Sequence, residues 1–477
     1  MKGFYKLSLF IATAALTACG GGGGGGDGGG LTPPTPPVSD ACSITAQKEF
    51  VFNEMQFWYL WNDLLPATVD LEGFATAEEL LAFLASFSPD LGNGPVDRFS
   101  FLTSATSDQQ FFGEGRYEGF GFSSRFLSDT DWRLTRVFAD SPAGTATPPM
   151  ERGQSIVALD GRLIADIQAA EGTNAVLAND TVDFTLRPVG GNPNGSDDFV
   201  ITLTKAIVTI DPVPQYRILD GAGGQKIGYL ELATFISTAS PELANIFSEF
   251  QTAGVTALIV DLRYNGGGLV SIAEELADLL DGAGATDLVF SKTEFNADRM
   301  AELTDAERES LITRFQRLGN SLDISELVII ATRGTASASE LITNGLVVDA
   351  NVTIVGDNTF GKPVGQIGLE LGDCDILLRP TSFQNVNAFD QGDYFDGLPV
   401  TTGCEAPDDL DVPVGNFVAL GDIRNDPNLE KAMQYLVNGN CSADAVSLDA
   451  ASKPGGVFTA PRPDLSGPPW REYANAW

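Results

Sequence analysis

Apolar positions change their spacing twice along this chain and divide it into three textures. Between residues 43 and 112 the spacing is helical: Val51, Met55, Trp58, Tyr59 and Asn62 fall at helical intervals. Residues 76–87 (TAEELLAFLASF) repeat an amphipathic stripe, with Thr76 placed to cap a helix. The aromatic run from Phe57 to Trp61 reads as core. From residue 117 to about 210 the pattern shortens to a period of two. Residues 132–138, 181–187 and 199–205 read as strands, with a short helix near 164–170. From residue 225 strands and helices alternate, with strands at 227–232, 257–262 and 327–331 and helices at 241–252, 272–280 and 338–348. Residues 301–318 read as a charged helix, and strands return at 366–371 and 375–379. No internal repeat is visible, and the Pro-rich stretch beyond residue 442 is uninformative.

The N-terminus has the texture of an export signal. Lys2 and Lys6 precede an apolar run over residues 7–16, and Leu16-Thr-Ala-Cys19 resembles the bacterial lipobox. That resemblance implies a signal peptide at residues 1–18 and lipidation of Cys19 with more than one acyl chain, enough for firm anchoring. The apolar run is too short to span a bilayer, and no later run is long enough. Residues 19–41 read as a tether, floppy where glycine dominates and stiff where proline does. Gly20 directly after the cysteine suits the outer membrane, so the expected location is the bacterial cell envelope, facing the periplasm or the exterior.

Composition narrows the chemistry. With 477 residues and 43% hydrophobic content the chain is long enough for two or three packed domains. A formal charge of −36 argues against nucleic acid as a partner, since neutralising phosphates requires clustered cations. The chain contains no histidine, so a reactive serine must find another base, and a zinc site has neither imidazole nor a CxxC pair to use. Neither a metal nor a cofactor is expected. An exported chain is expected to pair Cys42, Cys374, Cys404 and Cys441; the favoured connectivity is Cys374–Cys404 with Cys42–Cys441, the latter joining the ends of the folded body.

Two segments carry candidate chemistry. Residues 258–268 read as a buried strand running into the tight turn Asn265-Gly-Gly-Gly268, whose bare N–H groups can point at a developing oxyanion. A simple turn or a phosphate cradle has the same texture. The second segment places Ser337 at a strand-to-helix turn and Lys362 beyond it, between Gly361 and Pro363. Ser337 could equally be a helix cap, and Ser339 and Thr335 are alternative hydroxyls. If Ser337 is a nucleophile, Lys362 is the available base. An exposed lysine titrates near 10.4, and lowering it by about three units costs the charged form roughly 4 kcal/mol, which burial among apolar groups such as Phe360, Pro363 and Val364 can supply. No lysine has a serine three residues before it, so the SxxK pattern is absent.

Residues 119–122 and the strand order after them resemble a PDZ domain, which implies that the backbone of Gly119, Phe120, Gly121 and Phe122 captures a peptide carboxylate while a strand edge adds the peptide. Gln154 departs from that family's frequent aspartate. From residue 43 to 437 the chain resembles the carboxyl-terminal processing (tail-specific) proteases, which are serine–lysine endopeptidases. The resemblance rests on Tyr229-Leu-Glu-Leu, Asp261-Leu-Arg-Tyr-Asn-Gly-Gly, Ser337-Ala-Ser-Glu, Phe360-Gly-Lys-x-x-x-Gln366, Asp393-Tyr-Phe-Asp-Gly-Leu-Pro399 and Asp426-Pro-Asn-Leu-Glu-Lys-Ala432. It implies Ser337 as nucleophile, Lys362 as general base, Gln366 as the residue orienting the lysine, and Ala338 N–H as half of an oxyanion hole. Gly267 is preferred over Gly266 for the other half, because relatives often carry proline at the Gly266 position. Gln366, four positions after Lys362, would share its face of a strand.

The implied fold class is multidomain α+β: an N-terminal helical domain (42–113), a PDZ-like β-domain (114–210) and a mixed α/β protease core of the crotonase/Clp-like ββα type (211–440), followed by a tail (441–477). Unfolded or C-terminally tagged proteins are the implied substrates, with the membrane reached through the lipid anchor and any adaptor lipoprotein unspecified. The alternatives are a catalytically silent PDZ-type peptide-binding lipoprotein of the same fold and a structural envelope lipoprotein.

Overall fold

The computed structural model describes residues 40–408, 410 and 426–441, apart from residues 93, 129, 281–284, 325 and 349. The signal peptide, Cys19, the tether and almost all of the tail lie outside the described residues.

The N-terminal helices follow the sequence pattern. Ser43 caps Ile44–Trp58, and Thr76 accepts from Glu79 N–H at the start of Ala77–Ala85. Val51, Met55, Tyr59, Leu80, Leu81 and Leu84 pack together with Leu378 from a distant strand. That strand, Leu377–Arg379, pairs antiparallel with Phe101–Thr103, so the helical region is sewn into the rest of the chain by a short sheet.

The β-rich region opens and closes on one paired base, Arg116–Gly119 against Ala206–Thr209. Between them lies a sheet ordered Phe122–Ser128, Asp131–Val137, Ser155–Leu159, Thr181–Arg187 and Phe199–Thr204, with Phe122–Ser128 at its edge. Ile164–Ala170 and Thr173–Leu177 pack on this sheet around Trp132, Phe120, Phe122 and Phe184. Because the first and last strands pair, the region is an insertion whose ends return to one place.

The core is a five-stranded sheet ordered Gln215–Asp220, Lys226–Glu231, Val255–Asp261, Glu326–Ala331 and Asn351–Gly356; the first pair is antiparallel and the rest are parallel. Leu258, Val260 and Leu262 face Ala239–Ala253 and Val270–Leu279, while Ala257 and Ile259 face Pro427–Asn438 on the other side. Burial on both faces explains why these strands read as continuous apolar runs. A second, antiparallel sheet is ordered Ile312–Arg314, Val289–Phe295, Thr381–Val386 and Val364–Gln366.

Three expectations change. Residues 301–318 are not one helix: Ala297–Glu302 stops at the extended Leu303, and a Thr304–Glu307 capping box starts Asp305–Glu309 afresh. Ile312–Arg314 then pairs with Val289–Phe295, because sheet pairing outweighs the local helical preference of the charged run. The strands placed at 366–371 and 375–379 resolve into Val364–Gln366, Leu369–Glu370 and Leu377–Arg379, interrupted by a register shift at Gly365/Gln366. The disulfides are Cys42–Cys374 and Cys404–Cys441, not the expected pairs. Cys374 lies in the turn before Leu377–Arg379, the strand that pairs with the N-terminal region and so brings residue 42 near. Cys404 and Cys441 instead share the buried cluster of Pro427–Asn438. No described helix is long and apolar enough to cross a membrane.

Candidate active site

Three neighbouring parallel strands end on the same side of the core sheet, and each delivers one part of the site. Val255–Asp261 runs into the glycine turn, Glu326–Ala331 into the Ser337 turn, and Asn351–Gly356 into the Lys362 loop. Loops beyond the carboxyl ends of parallel strands are where such sheets place ligands.

Ser337 holds φ +56° and ψ −116°, a strained conformation for a residue with a Cβ, costing about 1–3 kcal/mol. Its surroundings fix it there. Ala336 N–H donates to Asn265 O (3.0 Å), Ser337 N–H to Glu340 Oε2 (2.9 Å), and the Ser337 carbonyl accepts from Glu340 and Leu341 N–H (2.8 Å each). Ser337 is the N-cap of Ala338–Gly345 and forms a capping box with Glu340. The other hydroxyls are committed: buried Ser339 donates to Asn265 O (3.0 Å) and Thr335 to Leu262 O (2.7 Å).

Glu340 organises the site, and sequence reasoning gave it no role. Its fully buried carboxylate accepts from Thr359 Oγ1 (2.6 Å) and Gly361 N–H (2.7 Å) on one oxygen, and from Ser337 (2.9 Å) and Lys362 N–H (2.8 Å) on the other. The backbone nitrogens of Ser337 and Lys362 therefore converge on one atom, within two hydrogen-bond lengths of each other. Burial pushes the Glu340 carboxyl up from its ordinary range, while the four donors pull it back. The signal was present in the sequence, since an acid three residues into a helix is the reciprocal half of a capping box.

Lys362 Nζ donates to Gln366 Oε1 at 2.9 Å. Shared strand periodicity is not the cause, because Lys362 precedes Val364–Gln366 and Pro363 between them has no N–H for a ladder. The pair meets where the Lys362 loop enters Val364–Gln366. Gly361 has φ +98°, and a Cβ there would collide with Phe395 O. Phe99, Ala336, Phe360 and Val364 form a buried apolar cluster, and the Phe99 ring centroid lies 5.0 Å from Lys362 Nζ.

The glycine turn presses directly on the serine. A Cβ on Gly267, at φ +105°, would lie 2.7 Å from Ser337 Cβ and 2.8 Å from Ala338 N, so only glycine fits. Gly267 N–H donates to Asn265 Oδ1 at 2.9 Å in this structure. The N–H groups of Gly266 and Ala338 have no acceptor among the described residues.

Behind the turn, Arg263 is fully buried between Asp261 and Asp426 and donates to both. Burial alone would lower Arg263, but the two carboxylates outweigh it and hold the guanidinium well above its usual value. The turn thereby rests on the start of Pro427–Asn438. In front, Tyr264 donates to Asp408 (2.6 Å) and accepts from Arg152 (2.9 Å), while Arg125 donates to Asp408 (2.7 Å). Arg125 and Arg152 belong to the β-rich insertion, which therefore grips the residue two positions before the glycines.

Residues 119–122 are buried in the β-rich insertion. The rings of Phe120 and Phe122 pack on Phe184 at 5.1 and 5.5 Å, so they are core. Gly121 at φ +91° sits where a Cβ would collide with the Ser141 side chain.

Residues 226–387 match peptidase family S41, and residues 46–101 match the peptidase S41 N-terminal domain. The chain is 30% identical over 249 residues to a chloroplastic C-terminal processing peptidase of Tetradesmus obliquus, covering 50% of each protein. It is 25% identical over 327 residues to a carboxyl-terminal-processing protease of Picosynechococcus, covering 68% of this chain and 71% of that one. The chain thus spans half the length of the first relative and about seven-tenths of the second. In fold it resembles the crystal structure of an S41 protease from Bacteroides fragilis, with a TM-score of 0.59, 21% identity, and coverage of 81% of this chain and 96% of that one.

Proposed function

The chain belongs to peptidase family S41, and from that premise we propose that it is an envelope endopeptidase working through a Ser337–Lys362 dyad. Neutral Lys362 takes the Ser337 proton as Oγ bonds to the scissile carbonyl carbon. The carbon–nitrogen bond then breaks, and the proton passes from Nζ to the leaving amine. Water attacks the resulting ester, giving its proton to Lys362, and Ser337 Oγ is reprotonated as the acid leaves. Gln366 holds the lysine. Ala338 N–H and Gly267 N–H carry the oxyanion, the latter after exchanging Asn265 Oδ1 for it. The observation that carries this reading is the single Glu340 oxygen bonded to the N–H groups of both Ser337 and Lys362, beside the Lys362–Gln366 contact.

The insertion acts as a PDZ domain. Its edge strand Phe122–Ser128 has a ladder partner on one side only, the other side being where an added peptide strand would join, and Gly121 in the preceding turn has the positive φ of a carboxylate-binding loop. Apolar C-terminal tails or unfolded segments bind there, and Arg125 on that strand relays occupancy to Tyr264 through Asp408. Cys19 carries the lipid that holds the enzyme in the envelope, on the outer membrane. The two disulfides suit an oxidising compartment.

Cleavage of fluorescein-labelled casein, an unfolded protein, tests the dyad. Ser337→Ala and Lys362→Ala should each abolish turnover while the thermal melt is retained. Cleavage by Ser337→Ala together with none by Ser339→Ala would move the nucleophile to Ser339.

A further inference from the structure

The dyad, the turn and the strand ends all belong to the S41 core, yet one residue of the N-terminal region enters the site. Phe99 is 2% exposed and lies in the S41 N-terminal domain, at its junction with the strand Phe101–Thr103. Its carbonyl accepts from Gln366 Nε2 at 2.5 Å, and Arg379 O accepts from the same nitrogen at 3.2 Å. Both amide donors are therefore committed. A flipped amide would set Oε1 against two carbonyl oxygens, so Oε1 must face Lys362 Nζ, to which it is bonded at 2.9 Å. The Phe99 ring lies 5.0 Å from that ammonium and packs edge-on against Phe360 at 6.1 Å.

The turn that delivers Phe99 is itself built. Asp97 Oδ1 accepts from Phe99 N–H (3.0 Å), Ser100 N–H (3.1 Å) and Thr381 Oγ1 (2.8 Å). Thr381 is the ladder partner of Gln366, so residues 97–100 dock onto the strand beside the amide they hold.

The geometry points to Phe99 as a positioning residue for the dyad: its carbonyl sets the Gln366 amide and its ring covers Lys362, so that the N-terminal region completes the catalytic site. This rests on the Ser337–Lys362 reading. A ring face attracts a cation, which favours the ammonium. A ring that also keeps water away removes more solvation than it returns, which favours the neutral amine that catalysis requires. The other ionisable groups around the lysine are Glu340 on its N–H, Tyr394 within reach of the Glu340 charge, Arg98 over the Phe99 and Phe360 rings, and Asp97 beneath the turn.

The test is the pH profile of casein cleavage by Phe99→Ala and Phe99→Leu, with urea unfolding of each variant alongside. Phe99→Ala should lower kcat at least about ten-fold with little change in KM, and move the acid limb of kcat/KM up by about one unit as water reaches the ammonium. Phe99→Leu keeps the cover without the π face, and should stay within about three-fold of wild type with its acid limb in place. An acid limb that stays put or falls in Phe99→Ala overturns the proposal, as does a folded Phe99→Leu as impaired as alanine. Should Phe99→Ala fail to fold, the leucine variant decides alone. A Ser337→Ala control that still cleaves casein would instead overturn the dyad reading.

Discussion

Replacing Glu340 with glutamine probes the clamp that brings serine and lysine together. Each carboxylate oxygen accepts two donors in the native protein. Glutamine retains one oxygen, and the cheaper orientation keeps it on the N–H groups of Ser337 and Lys362. Its amide nitrogen then faces Thr359, whose hydroxyl can rotate to accept, and Gly361, whose N–H cannot. One buried N–H is left unsatisfied at about 1–3 kcal/mol, and the two retained bonds lose charge assistance at about 1 kcal/mol each. Relief of a buried charge offsets part of this, so the expected loss is about 2–4 kcal/mol at neutral pH. Urea unfolding in a Ser337→Ala background, which prevents self-digestion, measures it. Burial holds the folded carboxyl above its unfolded value of about 4.3, so the native contribution is fully present below that value and declines as pH rises through the folded one. The stability gap between the parent protein and its Glu340→Gln variant should therefore narrow as pH rises above the unfolded value. A glutamine variant as stable as the parent, or a gap that widens with pH, would refute this reasoning.

Three further outcomes follow from the packing. Asp426→Ala leaves Arg263 with one of its two buried partners, and urea unfolding should report a loss of about 3–5 kcal/mol. Gly267→Ala pushes a Cβ against Ser337 and Ala338 N, and should lower kcat for casein at least about 100-fold. Paired Cys404→Ser and Cys441→Ser substitutions open a link spanning 37 residues, and chemical unfolding should show a loss of about 4 kcal/mol on chain-entropy grounds.

The strand and helix alternation over residues 225–280 and 327–348 and the cap at Thr76 were legible because local rules and tertiary packing agree there. The absence of histidine pointed to Lys362 as the base available to Ser337, and the Lys362–Gln366 contact was implied by a family resemblance, not by the residues alone. Pairings set by distant contacts were not. Cys42 meets Cys374 only because Phe101–Thr103 joins Leu377–Arg379, and spacing along the chain contains nothing of that register. Glu340 reads as an ordinary helix acid until the Lys362 loop folds over it, and Phe99 as one more core aromatic until its carbonyl meets Gln366. The charged run at 301–318 misled because a two-residue break decides between helix and strand there.

The most direct test is covalent labelling with a peptidyl diphenyl phosphonate, which traps an activated serine. One adduct per chain is expected, mapped by mass spectrometry to Ser337, absent in Ser337→Ala and formed at least about 100-fold more slowly in Lys362→Ala. An adduct on Ser339 or Thr335, or labelling at full rate without Lys362, would contradict a Ser337–Lys362 dyad.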